Sequence, residues 1–213
     1  MQKKQQDKQV QIDNLNNQME AAVGQLPLAQ TSEDIIPAEG NPNAEVLLIG
    51  EAPGFHETQQ RRPFVGRSGQ LLRKVMTEVG LKPEDVYISN IVKARPPENR
   101  DPSAAEIAAY KQFLDAEIEI INPILVVTLG RFSMAKFLPD VRISQVHGRL
   151  HKVTWQGRQL YVLPMYHPAA ALRATKVKDS FIKDFEKIQK VLDSVHDQQQ
   201  VDDLKSVVAD ALL

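Results

Sequence analysis

Short apolar runs alternate with amphipathic stretches along most of this chain. Residues 44–50 (AEVLLIG), 86–92 (VYISNIV) and 124–130 (ILVVTLG) are continuous hydrophobic segments of strand length, the pattern of strands buried on both faces. A fourth strand, YVLP, closes a hairpin predicted over 149–163 with its turn near Gln156-Gly157. Between the strands, Ser68 is placed to cap a helix that runs to Gly80 on Leu71, Leu72, Val75, Met76 and Val79. Ser103 and Glu106 have capping-box spacing and open a long helix that Pro123 stops. Further helices are predicted at about 131–138 and 179–195. Residues 1–20, rich in Gln, Asn and Lys, place Val10, Ile12, Leu15 and Met19 at roughly helical spacing and read as an extension running into an amphipathic helix. Pro27, Pro37, Gly40 and Pro42 punctuate an irregular lead-in. Residues 197–213 read as an acidic tail helix carrying Val201, Leu204, Val208 and Leu212.

Strands alternating with helices imply a three-layer α/β/α fold around a mostly parallel sheet. The segment 44–195 contains no repeat and no linker, so residues 21–196 form one expected domain. In such sheets ligands sit beyond the carboxyl ends of the strands, and the loops there are where chemistry is expected.

Composition narrows the chemistry. The 213 residues contain no cysteine, which removes disulfides, zinc–thiolate sites and cysteine nucleophiles. A chain this long buries roughly 70% of its unfolded surface and needs no covalent or metal staple. No apolar run is long enough to span a bilayer, and the N-terminus lacks the apolar core of a secretory signal, so a cytoplasmic protein without a membrane partner is expected. The 26 basic and 27 acidic side chains nearly cancel, but unevenly. Arg173, Lys176, Lys178 and Lys183 face only Asp179 within 167–183, whereas the tail holds four aspartates against Lys205. Local patches steer anionic partners, and the net charge does not.

Four loops carry candidate chemistry. Gly50-Glu51-Ala52-Pro53-Gly54, followed by Glu57, brings backbone amides and carboxylates to a strand end. No Lys-Ser/Thr follows at P-loop spacing, which argues against an ATPase. Pro63-Phe64-Val65-Gly66 offers an aromatic ring among arginines that can stack on a base. Asn90 precedes Lys93-Ala94-Arg95-Pro96-Pro97, and a fixed amide there can distinguish uracil, with an N–H beside a carbonyl, from cytosine, with an acceptor beside an amine. His167-Pro168 is followed by small residues and then Leu172-Arg173. The histidine can donate to a developing anion, and Leu172 or Arg173 can wedge into a strand. Taken singly, each also fits an ordinary turn, a core plug or a capped loop.

Together, in this order, GEAPGxxE, PFVG, SNIVKARPPENRDP, LG and YHPAAALR resemble family-four uracil-DNA glycosylases over about residues 40–175. The resemblance implies a short, mostly parallel four-stranded sheet and hydrolysis of the bond between uracil and deoxyribose in DNA. Its pattern implies Phe64 stacking on a flipped uracil, Asn90 reading its edge, and Gly50 and Ala52 in the pocket floor. His167 would stabilise the leaving uracil anion. Glu51 and Glu57 fall on the two carboxylate positions, with Glu57 favoured for the water. Lys93, Arg95, Arg100, Arg173 and Lys176 are candidate phosphate contacts, with Leu172 beside them. No cofactor is needed for this chemistry, and the expected partner is uracil-containing DNA, bound by a monomer at the nucleoid.

The chain departs from that family in places. Most members hold a four-cysteine iron–sulfur cluster, and the aligned positions here are Val23, Leu26, Ala94 and Tyr110. All four are apolar or aromatic, which predicts one repacked, buried cluster. Ala169 replaces a common serine after His-Pro, and Thr58 stands where an acid is common. The segment 95–100 runs through without the histidine-bearing insertion of a related branch that cross-links to DNA. A binding module with little turnover is the alternative to an active glycosylase.

Overall fold

In the computed structural model, which describes the backbone of residues 2–211 and the side chains of 7–198 and 200, the chain runs from α1 (Gln2–Ala21) through a short edge strand β1 (Glu39–Gly40) into β2 (Val46–Gly50). There follow α2 (Phe55–Gln60), α3 (Arg67–Glu78), β3 (Val86–Asn90), α4 (Ala104–Ile121), β4 (Leu125–Leu129), α5 (Arg131–Ala135) and α6 (Ile143–Val146). The hairpin β5 (His151–Trp155) and β6 (Arg158–Met165) leads to α7 (Pro168–Ala171), α8 (Thr175–Phe185) and α9 (Ile188–Ala211). Among the described residues, no helix is long and apolar enough to cross a membrane.

β2, β3 and β4 are buried at every residue, as their largely apolar sequences require. Successive side chains alternate between two cores. Leu47, Ile49, Tyr87 and Val126 pack with α1 and α4, whereas Val46, Leu48, Ile88 and Val127 pack with residues of α3, α8 and α9. α1 is strongly polar, and docking holds it: Ile12, Leu15 and Met19 are buried in the same core as Tyr110 and Ile118 of α4. Each such side chain contributes roughly 1.5–3 kcal/mol. The predicted capping box is present, with the Glu106 N–H donating to Ser103 Oγ at 3.2 Å and the Ser103 N–H donating to Glu106 at 2.7 Å.

The sheet has six strands in the order β1-β3-β2-β4-β6-β5, not four. The four central strands are parallel, and β1 and β5 are antiparallel edges. β1 is only Glu39-Gly40 and carries no apolar signal. It pairs because Gly40, at φ 133°, lets the backbone approach Val86 more closely than any Cβ permits. α3 starts at Arg67 behind Gly66, so Ser68 lies in its first turn. The single helix expected over 179–195 is two, broken after Phe185. There the carboxylate of Asp184 is held by His147 Nδ1 at 2.6 Å and by Lys187 Nζ at 2.9 Å. The tail residues Val201, Leu204 and Val208 lie on the backbone of α9, and Leu212 lies outside the described residues.

From β2 the chain moves one way to β3 and then back across to β4. That reversal opens a crevice beyond the carboxyl ends of β2 and β4, where ligands of open parallel sheets bind.

Candidate active site

Each loop at that end of the sheet delivers a side chain to one cleft of about 740 Å³, lined among others by Glu51, Phe64, Asn90, Gly130, His167 and Arg173. The floor is backbone. The Ile91 N–H donates to Gly50 O at 3.1 Å and the Val92 N–H to Glu51 O at 3.2 Å, so β2 and β3 stay tied past their formal ends. A Cβ at Gly50 would lie 2.4 Å from both Asn90 Oδ1 and Phe64 Cζ. Glycine is what lets the amide and the ring meet over the floor.

Phe64 is pinned. Its backbone is left-handed at φ 54°, a conformation costly for a bulky residue unless its surroundings enforce it. Arg73 donates to Phe64 O and Pro63 O, both at 3.0 Å. Gly69 of α3 sits so close that a Cβ there would fall 2.0 Å from Phe64 C. Glu57 holds the loop from its other side. Oε1 accepts the N–H groups of Val65 at 2.9 Å and Gly66 at 2.7 Å, and Oε2 accepts that of Gly54 at 3.2 Å. Three backbone donors therefore occupy the carboxylate that the motif alone favours for handling water. Glu57 staples the first motif to the second.

Glu51 is different. Among the described residues no hydrogen-bond donor reaches its carboxylate, and burial pushes its pKa up to about 7, helped by the Asp101 carboxylate and opposed by Arg131. Asp101 and Arg131 form an exposed ion pair at the cleft mouth. They are thirty positions apart, and nothing in the sequence pairs them.

Asn90 ends β3 only 4% exposed, and its Oδ1 is buried without a hydrogen-bond partner among the described residues. A buried acceptor left unpaired costs about 1–3 kcal/mol, and the residue that carries it lines the cleft. His167 caps α7, and its Nδ1 accepts the Ala169 N–H at 3.2 Å. With Nδ1 an acceptor, the neutral ring carries its proton on Nε2. Burial, with Arg173 nearby, pushes the His167 pKa down to about 4 against the pull of Glu57, so the ring is neutral at pH 7. Gly130, at φ 96°, gives it room, since a Cβ there would come within 3.0 Å of His167 Cβ.

The expected site residues thus fall into groups. Gly50, Glu51, Ala52, Glu57, Phe64, Asn90 and His167 surround the cleft. Arg173 lines the cleft from the surface, and Leu172 (43% exposed) and Lys176 are exposed on the same segment. Arg95 donates from Nε to Asn99 at 2.7 Å, and Arg100 is forked onto Glu106. Lys93 is corrected. It is 1% exposed, and its ammonium is sealed against Glu117 at 2.6 Å and Ser89 at 2.5 Å, so no phosphate reaches it. Burial pulls its pKa down and Glu117 opposes that.

Val23, Leu26, Ala94 and Tyr110 all belong to one buried core cluster, and the Tyr110 hydroxyl donates to Pro27 O at 2.6 Å. These side chains offer no thiolate and do not fit an iron–sulfur cluster. No group of three or more His, Asp or Glu side chains suited to a metal occurs among the described residues.

Comparison with known proteins gives a consistent result. The family model of the uracil DNA glycosylase superfamily matches residues 37–193. The chain is 39% identical over 167 residues to a type-4 uracil-DNA glycosylase of Archaeoglobus fulgidus, covering 76% of this chain and 83% of that protein. It is 40% identical over 170 residues to the type-4 enzyme of Sulfurisphaera tokodaii, covering 77% of each. A DNA polymerase of Bacillus phage SP01 is 35% identical over 156 residues, which are 73% of this chain and 16% of that protein.

Proposed function

The chain belongs to the uracil DNA glycosylase superfamily, and on that premise we propose that it hydrolyses the N-glycosidic bond of uracil in DNA, leaving an abasic site. The observation that carries this reading is Asn90, whose buried Oδ1 has no partner among the described residues, lining the same cleft as a neutral His167. Uracil satisfies both. Asn90 Oδ1 accepts the uracil N3–H while the amide nitrogen donates to O4, and cytosine mismatches both contacts. Phe64 stacks on the base and returns about 1–3 kcal/mol of the few kcal/mol needed to extrude it.

As the bond between N1 and the sugar breaks, the electron pair goes to uracil and negative charge gathers on O2. His167 Nε2–H donates to that oxygen. A neutral donor needs no protonation of the base, and one aimed donor of this kind is worth about 3–4 kcal/mol of barrier. The sugar cation takes the oxygen of a water whose proton passes to a carboxylate. Glu51 fills that role better than Glu57, because its carboxylate is free and its pKa lies near 7, where a general base works best. Glu57 is then a positioning residue.

Arg173 and Lys176 contact phosphates, and Leu172 fills the space the uracil leaves. Ordinary packing at Val23, Leu26, Ala94 and Tyr110 replaces the cluster implied by the family resemblance. Under this reading the protein acts as a monomer on nucleoid DNA in the cytoplasm. An oligonucleotide carrying one uracil, incubated with pure protein and then treated with alkali, tests the reading. Strand scission at the uracil supports it, and tight binding without scission favours a binding module.

A further inference from the structure

Phe55, the first residue of α2, is 52% exposed, more than any other Phe, Tyr or Trp among the described residues. An aromatic ring half in water forgoes part of the roughly 1.5–3 kcal/mol that full burial supplies. The Arg95 guanidinium lies 5.3 Å from its centroid, and the His56 ring stands at 75° to it with the centroids 5.5 Å apart. Arg95 is fixed in turn by Asn99, which accepts from Nε at 2.7 Å. Asn99 and Glu98 both take left-handed backbone at φ 55° to shape that loop.

The position of the pair matters more than its exposure. Gly54 lines the uracil cleft and immediately precedes Phe55, and Pro96 lines it and immediately follows Arg95. Both members therefore stand one residue, about 3.8 Å of backbone, outside the cleft wall. Pro96 also lines a second cavity of about 280 Å³, which it shares with Arg95, Leu28 and Ala29. Pro96 is thus shared by the cleft and this cavity, on a loop distinct from the one that carries Leu172 and Arg173.

We propose that Phe55 and Arg95 form a stacking platform for the unpaired base next to the flipped uracil in the same strand. An aromatic face and a guanidinium plane are the two surfaces on which proteins stack single-stranded bases, and a cation on the ring adds attraction. In a duplex the neighbouring base is paired and stacked on its own helix, so the platform engages single-stranded DNA. The proposal rests on the cleft being the uracil pocket.

The test uses an oligonucleotide with 2-aminopurine beside a 2′-fluorinated deoxyuridine, whose electron-withdrawing fluorine blocks the sugar cation and leaves the complex uncleaved. Wild-type protein is expected to quench the 2-aminopurine on single strands. Phe55→Ala is expected to abolish the quench and to weaken single-strand binding about tenfold, with duplex binding within twofold of wild type and with Phe55→Trp restoring both losses. Unchanged quenching and affinity in Phe55→Ala, or equal losses on single strands and duplex, overturn the platform. Release of uracil from ordinary substrate is scored separately. Quenching without release defeats the glycosylase reading and leaves the platform standing, whereas release without quenching does the reverse.

Discussion

Gly50→Ala is the smallest change that reaches the centre of the site. The added methyl would stand 2.4 Å from Asn90 Oδ1 and from Phe64 Cζ and 2.8 Å from Phe64 Cε2, where ordinary contact is 3.4–4 Å. Something must move by about 1 Å, and a displacement of that size at a reacting centre costs on the order of a hundredfold in rate. Phe64 has little room to retreat, because Arg73 holds its carbonyl at 3.0 Å and α3 presses on its backbone at Gly69. Asn90 is paired in register with Gly50 across the sheet. Overpacking of this kind costs about 1–3 kcal/mol of stability, which a domain of this size tolerates. Single-turnover uracil release should therefore fall about a hundredfold while circular dichroism and a cooperative melt persist. Gly24→Ala, with nothing within 4 Å of the added methyl, serves as the control. Wild-type turnover and stability in Gly50→Ala would show that the floor does not hold the amide and the ring in place.

Other consequences follow from the charged groups. With Glu51 as base, kcat/KM should rise as pH increases through about 7, and Glu51→Gln should lower the rate and remove that limb. A limb that persists in Glu51→Gln assigns the titration elsewhere. His167 is held below its ordinary 6.5 at about 4, so the stability it contributes is present above pH 6.5 and is lost as pH falls through 4. Urea titrations of His167→Asn should lose less stability across that window than wild type, and an identical pH dependence would contradict the assignment. Lys93→Met strands the Glu117 carboxylate in the core and should cost about 3–5 kcal/mol in urea denaturation. Adding Glu117→Leu should recover most of that loss, with the salt dependence of DNA binding unchanged throughout. Arg173→Ala and Lys176→Ala should instead each reduce the slope of log affinity against log salt by about one.

The contrast between Lys93 and Arg173 shows what was legible in the sequence. Period and run length were enough for the parallel strands, because β2, β3 and β4 are buried on both faces and all but Ser89, Asn90 and Thr128 in them are apolar or glycine. The edges were not legible in that way. β1 pairs through backbone alone, and its two residues resemble a loop. At the site, motif order brought Phe64, Asn90 and His167 to the cleft, since strand-end loops of a parallel sheet converge wherever their side chains point. Partners were hidden. Glu117 sits on α4, twenty-four positions from Lys93, and turns an apparent phosphate ligand into a core ion pair. Glu57 matched a catalytic position, but the three amides that occupy it come from two loops, and only the fold brings them together. The Asp101–Arg131 pair beside Glu51 joins a loop to the first residue of α5, with no local pattern in either.

The most direct test is the appearance of free base. Pure protein is incubated with single-stranded oligonucleotides that differ only in carrying uracil, cytosine or thymine at one position, and the released base is identified by mass. The predicted result is uracil alone, with the rate reduced by orders of magnitude in Asn90→Ala and in His167→Ala at unchanged folding. Release of no base, or equal release from both variants and wild type, would contradict the assignment of this cleft.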